Sequence, residues 1–166
     1  MTVKANDRQA EPEATARVRA ALEARGWTGE ILGFPEGTAS AADAAAAIGC
    51  ALAQIAKTIV FRSEDGPVLV VASGTNRVDR AKAEAALGRK LRGAGAEWVL
   101  EHTGFPAGGV APVGHASPPP ALIDEDLARF EVVWAAAGSP MHVFRTSAGE
   151  LVRLTGGRLA EVRQAP

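Results

Sequence analysis

The sequence predicts one α/β (α+β) domain, built on a mixed or mostly antiparallel sheet with helices on its outside. Three observations predict it. Segments of strand and helix character intermix along the chain, without the βαβ rhythm of a parallel doubly wound sheet. The 166 residues suit one ordinary domain, long enough to bury about two thirds of the surface of the unfolded chain. Nothing after the Gly- and Pro-rich stretch at 104–120 has the character of a second domain. The domain is expected to span 13–163, behind a polar, frayed tail at 1–12.

The elements follow in order. Ala14, Val18, Ala21 and Leu22 recur at helical spacing over 13–25, and Gly26 supplies a stop. A short strand is expected at 30–34. Ser40 and Asp43 have the character of a capping box opening an alanine-rich helix that Gly49 ends. Residues 54–62 are rich in β-branched side chains, Glu64-Asp65-Gly66 is a turn, and 67–73 is a continuous apolar run. That pattern predicts a hairpin with a buried second strand. A helix is expected at 79–87 with Gly88 as its stop, a break at 93–95, and another short helix at 96–103. Nine Gly and Pro residues then rule out regular structure over much of 104–120. That stretch is too apolar for a linker, so an ordered loop of the domain is expected, where function tends to sit. Strands at 130–135 and 141–145 flank a Gly138-Ser139-Pro140 turn, followed by a helix at 147–154 and a strand at 158–162.

Composition narrows the function classes. With 47% hydrophobic and 22% charged residues the chain is globular in character. No apolar run approaches the ~20 residues that cross a bilayer, and 1–12 lacks the apolar core of a signal peptide; a cytoplasmic protein is expected. The lone Cys50 has no second cysteine for a disulfide or a shared metal, and reads as a small buried hydrophobe. The net charge of −1 gives the whole molecule no attraction for nucleic acid. Its distribution is more telling: Arg77, Arg80, Lys82, Arg89, Lys90 and Arg92 stand against only Asp79 and Glu84. Such a face suits either a phosphate backbone or a solvated helix surface.

Two features point to chemistry. Lys57 shares its strand face with Ile55, Ile59 and Phe61, the more apolar of the two. An ammonium group there needs a buried partner, a route to solvent, or the negative charge of a ligand. The loop at 104–120 is the second, because glycines let backbone N–H groups approach a ligand and stabilise an oxyanion. It matches no phosphate-loop pattern, and a purely structural turn is the alternative. Other constellations fail. His102, His115 and His142 are too scattered for a metal site, and no GxSxG elbow surrounds Ser73, Ser117 or Ser139. Asp124-Glu125-Asp126 reads as the polar start of a helical turn.

The segments Ile55-Ala56-Lys57-Thr58-Ile59-Val60-Phe61 and Thr103-Gly104-Phe105-Pro106-Ala107-Gly108-Gly109-Val110-Ala111-Pro112-Val113-Gly114-His115 together resemble the YbaK/ProX family of trans-editing domains. The insertion domain of bacterial prolyl-tRNA synthetases is similar to the same family. Ala72-Ser73-Gly74-Thr75-Asn76-Arg77-Val78-Asp79 and Ala137-Gly138-Ser139-Pro140-Met141-His142-Val143-Phe144 match in order and spacing, so the resemblance runs from about Glu30 to Val162. It implies a barrel-like mixed sheet flanked by helices, and hydrolysis of the ester joining an amino acid to a tRNA.

The resemblance also implies roles. Lys57 matches the essential lysine, a fixed positive charge for the terminal phosphate or the ester, and N–H groups near Gly108 and Gly109 polarise the carbonyl. The pocket wall is expected from Gly104, Val110, Pro112, Gly114 and His115, faced by Gly138, Ser139 and His142. Thr58, Ser73 and Asn76 complete the expected substrate contacts, with Thr58, Ser139 and His142 as the groups that read a substrate hydroxyl. Arg77, Arg80, Lys82, Arg89, Lys90 and Arg92 are the expected contacts to the tRNA backbone. With no nucleophile or general base in view, water aligned by the loop or the terminal ribose is expected to attack. The expected partners are the aminoacylated acceptor end of a tRNA, tRNA(Pro) first, and a prolyl-tRNA synthetase; no cofactor, metal or membrane is expected. The amino acid removed is a small one, alanine, serine, threonine or cysteine, because a synthetase pocket cannot strongly reject smaller residues. A module of the same fold that binds the tRNA end or a nucleotide without turnover is the alternative, and a small esterase without RNA a third.

Overall fold

A computed structural model of the chain describes residues 11–38 and 40–166. Positions 1–10 of the expected tail lie outside the described residues. Glu11 belongs to the domain: it accepts two hydrogen bonds from the Arg19 guanidinium, at 3.1 and 2.8 Å, with both side chains under a tenth exposed. Among the described residues no helix is long and apolar enough to cross a membrane.

Helix α1 (Glu13–Ala24) buries Val18 and Leu22 against the sheet. Strand β1 (Ile31–Gly33) leads through a loop to α2 (Ala41–Ile48). A short 3-10 turn follows, and then the hairpin of β2 (Ile55–Ser63) and β3 (Gly66–Ser73). Helix α3 (Arg80–Leu87), strand β4 (Arg92–Gly93) and helix α4 (Ala96–Thr103) precede the long loop. The chain ends with β5 (Ala121–Asp124), β6 (Val133–Ala136), β7 (His142–Thr146), α5 (Ala148–Thr155) and β8 (Arg158–Ala160). Ser40, Asp79 and Ser147 cap α2, α3 and α5, each side-chain oxygen accepting the N–H three residues on, which satisfies a donor the helix leaves free.

The sheet is mixed, ordered β1-β7-β6-β2-β3-β5-β8, with β4 beside β2. Four pairings are antiparallel (β1 with β7, β6 with β7, β2 with β3, β2 with β4) and three are parallel. Strands from both ends of this order feed one core: Ile31 and Phe144 meet Val60, Leu69, Val71, Ile123 and Val133 in a single buried cluster. The sheet therefore curls around its core in barrel-like fashion. Two smaller clusters lie on its outer side, one under α3 and one under α2.

Strand β2 is the organising element. Residues 56–63 pair with β3 along one edge. On the other edge β6 takes Ile55 and Ala56, and β4 takes Phe61 and Arg62. Residues 57–60 have no strand on that edge. The alternation of β2 also corrects the expectation for its faces. The main core is built on Ala56 and Val60, whereas Ile55 and Phe61 serve the two outer clusters. Lys57 sits half-buried between those clusters, where apolar packing on its own side is thinnest.

Other differences are local. A strand forms at Ala121–Asp124, directly after Pro118-Pro119-Pro120. All four of its residues are buried, because it lies parallel between β3 and β8 and shows no alternation to read. The expected strand at 130–135 begins at Val133, since a 3-10 turn over Glu125–Arg129 consumes the preceding chain. The break at 93–95 contains the end of β4.

Asp124 ties the C-terminal ends of β3 and β5 together. It is 1% exposed, and its carboxylate accepts the Ser73 N–H (3.0 Å), the Asn76 side-chain amide (2.8 Å) and the Asp126 N–H (2.9 Å). Asp124→Ala strands buried donors that had a charged acceptor, at about 1–3 kcal/mol each. The expected outcome is a lower midpoint in urea unfolding with an unchanged slope; an unaltered midpoint would show that Asp124 does not hold these ends.

Candidate active site

The interrupted edge of β2 opens into a cavity of about 260 Å³. Its floor is the open stretch of β2, with Lys57, Thr58 and Ile59, and one side is Trp134, Ala135 and Ala136 of β6. Ala41 and Ala44 of α2, with Thr38 and Ser40, form a second wall, and Gly108 and Val110 of the long loop form a third. Alanines on the inner face of α2 leave this space empty where larger side chains would fill it.

The polar groups of the cavity divide into committed and free. Thr38 Oγ1 donates to the Pro140 carbonyl at 3.0 Å, and Ser40 Oγ accepts the Asp43 N–H at 3.0 Å. Thr58 Oγ1 is buried and has no hydrogen-bond partner among the described residues. Lys57 forms no ion pair with a carboxylate of the described residues. Burial lowers its pKa from the ordinary lysine value, the Arg77 charge lowers it further, and Asp124 partly offsets both. Lys57 thus places on the cavity floor an ammonium group that no carboxylate of the described residues pairs directly.

The loop explains itself residue by residue. Gly108 has φ of +78°, a left-handed turn that glycine adopts without strain. A side chain on Gly109 would come within 2.6–2.9 Å of the Ser139 backbone, so the loop packs glycine against the 138–139 turn. The Gly109 N–H donates to the Pro106 carbonyl at 3.0 Å and is not available to a substrate. The Gly108 N–H makes no hydrogen bond within the described residues, and Gly108 lines the cavity. Of the two expected oxyanion donors, Gly108 alone is free.

The structure brings Lys57, Thr58, Gly108 and Val110 together and separates the other expected contacts. Ser73 is 1% exposed, and its hydroxyl donates to the Ala53 carbonyl at 2.8 Å; Asn76 bridges Asp124 and Asp126. Both are structural, placed by Asp124. Gly104 caps α4, its carbonyl neighbour Thr103 held by Arg17. Pro112, Gly114 and His115 line a different cavity, of about 170 Å³, between the loop, α1 and α5. His115 packs edge-on to Phe105 with ring centroids 5.0 Å apart, and its Nε2 donates to the Ala111 carbonyl at 2.8 Å. Gly138, with a φ of +90°, packs on the α1 backbone at Ala14 and Thr15.

Ser139 and His142 stand behind Gly109, outside the cavity lining. The Ser139 hydroxyl accepts the Met141 N–H at 3.0 Å and meets His142 Nδ1 at 2.6 Å. Burial lowers the His142 pKa, Glu11 opposes this and Arg19 adds to it. The Ser139 hydroxyl is thus engaged both with His142 Nδ1, in the direction the imidazole tautomer sets, and with the Met141 N–H. Of the three groups expected to read a substrate hydroxyl, Thr58 is free.

The basic residues also divide. Lys82 pairs with Glu161 at 3.5 Å and donates to the Arg163 carbonyl, and Arg89 pairs with Asp65 at 3.5 Å. Arg77 and Arg80 are exposed, and Arg77 is near enough to Lys57 to lower its pKa. Lys90 and Arg92 line a separate groove. Cys50 is half-buried beside the α2 cluster, and burial raises its thiol pKa. Sequence reasoning missed Thr38, Ala41, Ala44 and Trp134. They are ordinary packing residues in sequence, and only the gap in β2 turns them toward a cavity.

Comparison with known proteins gives a consistent answer. Residues 35–154 match the family model of the aminoacyl-tRNA editing domain. A curated relative, the uncharacterized protein YwhH of Bacillus subtilis (strain 168), is 39% identical over 123 residues, 74% of this chain and 75% of its own length. A crystal structure of a protein proposed as a trans-editing enzyme for prolyl tRNA synthetase superposes with a TM-score of 0.87. It is 43% identical, and the alignment covers 94% of this chain and all of that one. The crystal structure of hypothetical protein APE2540 superposes with a TM-score of 0.82 at 31% identity, over 89% of this chain and 99% of that one.

Two half-buried imidazoles generate a pH prediction. Burial lowers the pKa of His115 and of His142 from the ordinary 6.5. Below that value the unfolded chain binds more protons than the folded one, so stability is lost as pH falls through 6.5 toward the folded values. Imidazole NMR signals that titrate below 6.5, with an unfolding free energy that declines between pH 7 and 5.5, are expected. Stability that is level or rising across that window would contradict the arrangement.

Proposed function

Because the chain belongs to the aminoacyl-tRNA editing domain family, we propose that it hydrolyses, in trans, the ester of tRNA(Pro) mischarged with a small amino acid. Alanine, serine, threonine and cysteine are the candidates. The observation that carries this reading is Lys57: a half-buried ammonium without a carboxylate partner among the described residues, on the floor of a cavity that also offers the free Gly108 N–H and the unpartnered Thr58 hydroxyl.

The chemistry follows from what the lining supplies. Lys57 holds the negative charge of the terminal nucleotide or the ester region, and the Gly108 N–H stabilises the oxyanion as water adds to the carbonyl. Among the described lining residues there is no carboxylate, imidazole or thiol, and the hydroxyls of Thr38 and Ser40 are committed. The proton of the attacking water therefore passes through the substrate: the vicinal hydroxyl of the terminal ribose takes it and hands its own to the departing ester oxygen, so that the free amino acid and a free terminal hydroxyl are the products. The cavity is small and mostly apolar, which favours a short acyl group and makes it a second sieve behind a synthetase. The partners in this reading are the aminoacylated acceptor end and a prolyl-tRNA synthetase that releases it.

Deacylation of tRNA(Pro) carrying each of the four amino acids tests the proposal, with wild type beside Lys57→Ala. One or more species should be lost with wild type, and the variant should be slower by about 10²–10³-fold, as for loss of one preorganised oxyanion contact. Intact substrates that the protein nevertheless binds would make it a binding module; substrates neither cleaved nor bound would remove tRNA(Pro) as the target.

Thr58→Val keeps the shape and deletes the free hydroxyl. Its rate should fall for seryl- and threonyl-tRNA more than for alanyl-tRNA, by about tenfold, the worth of one good hydrogen bond. Equal losses on all three would show that Thr58 does not read the acyl group.

A further inference from the structure

A second site lies at the far end of β2. A groove of about 310 Å³ is lined by Arg62 of β2, Lys90 and Arg92 around β4, and Trp98 and His102 of α4, with Glu64 on its rim. Arg62, Lys90, Arg92 and His102 are exposed, and Trp98 is half-buried. We propose that this groove binds one nucleotide of an RNA strand, its base stacked on the Trp98–His102 pair and its phosphate held between Arg62 and Arg92. This rests on the reading of the substrate as a tRNA and adds a contact outside the ester cavity.

Two features of the groove call for a ligand. Arg62 and Arg92 are directly opposite each other in the β2–β4 ladder, a like-charge cross-strand pair that destabilises a sheet when nothing lies between. Neither has a carboxylate partner among the described residues, nor does Lys90. A phosphate between the two guanidinium groups turns the repulsion into two charge-assisted contacts.

The second feature is the aromatic pair. The His102 ring lies 3.9 Å from that of Trp98 at an interplanar angle of 17°, a true stack. It is fixed by a hydrogen bond between Nδ1 and the Trp98 carbonyl, at 2.9 Å. The Arg62 guanidinium lies 4.9 Å from the indole centroid. An exposed imidazole held flat on an indole is a stack already begun, which a base extends at little ordering cost. Aromatic platforms interleaved with cations are the recurring means of holding single-stranded nucleic acid.

The position fits a second point of contact rather than an extension of the first. Lys57 and Arg62 are five residues apart on one strand, about 16 Å. By alternation their side chains leave β2 on opposite faces. A substrate held at both ends is gripped across the sheet, away from the amino acid that distinguishes one mischarged species from another.

Binding of uncharged tRNA, followed at several salt concentrations, tests this without any catalytic step. His102→Ala should weaken binding about five- to tenfold with the salt dependence unchanged, and His102→Phe should restore it. Arg62→Gln/Arg92→Gln should weaken binding and reduce the slope of log K against log salt by about 0.7–0.9, the worth of the one phosphate held between them. Wild-type affinity and slope in both variants would overturn the proposal, as would failure of the wild-type protein to bind tRNA. Loss in the charge variant with none in His102→Ala would overturn the stacking site and leave a diffuse charged surface. The outcomes separate from those of the ester cavity: Lys57→Ala deacylation can fail while the groove variants still lose affinity, and the reverse.

Discussion

Everything at the site depends on one unmade pairing. Four consecutive residues of β2 lie between the point where β6 leaves its edge and the point where β4 joins it. Backbone N–H and C=O groups in the middle of a sheet demand partners, and here the outer edge of a central strand is left for something else to occupy. The gap gives the cavity its mouth and exposes Lys57 and Thr58 while their neighbours stay paired. It also separates the two halves of the strand, so that one end lines the Lys57 cavity and the other the cationic groove. Had β6 continued for two more residues, Lys57 and Thr58 would be ordinary strand residues.

The surroundings keep that gap open at low cost. The long loop crosses close to the 138–139 turn because Gly109 carries no side chain to strike it, and Gly138 sits equally close to α1. The turn is braced by the Ser139–His142 bond and by Thr38, which donates to Pro140 with both its N–H and its hydroxyl. On the other side, α2 approaches with alanines. The result is a rigid wall, a small-residue wall and an open strand edge. A charged residue can then be half-buried without a partner, because the strain of an uncompensated ammonium is shared with whatever anion enters.

The sequence carried the positions of most elements, because their signals are local: caps at Ser40, Asp79 and Ser147, apolar spacing in α1, and the turn at Glu64–Gly66. It carried less of the sheet. Strand β5 was hidden behind three prolines, and its four buried residues have no alternation that separates them from loop. Lys57 was legible as a charge on an apolar strand, and the loop that the resemblance attached to it supplies Gly108 and Val110 to the same cavity. What sequence could not divide was the loop. Gly108 and His115 belong to one continuous motif, yet they line different cavities on either side of the chain. The same holds for Ser139 and Thr58, two hydroxyls near one pocket, of which only a three-dimensional accounting of donors leaves one free. Trp134 and the alanines of α2 gave no signal, since nothing in an apolar side chain tells whether it faces a core or a void.

The distribution of committed groups constrains the chemistry further. Burial lowers the pKa of both histidines near the loop, one bonded to a backbone carbonyl and the other to Ser139. The buried carboxylate nearest Lys57 is taken up by backbone and amide donors. Each of these residue types appears in hydrolytic sites as a base, and none of the three lines the cavity that holds Lys57. In the proposed reaction the protein supplies a fixed charge, a backbone N–H and a shaped space, and leaves proton transfer to the substrate. Such a site is selective by construction, because an ester that does not bring its own proton acceptor within reach gains only part of the available stabilisation.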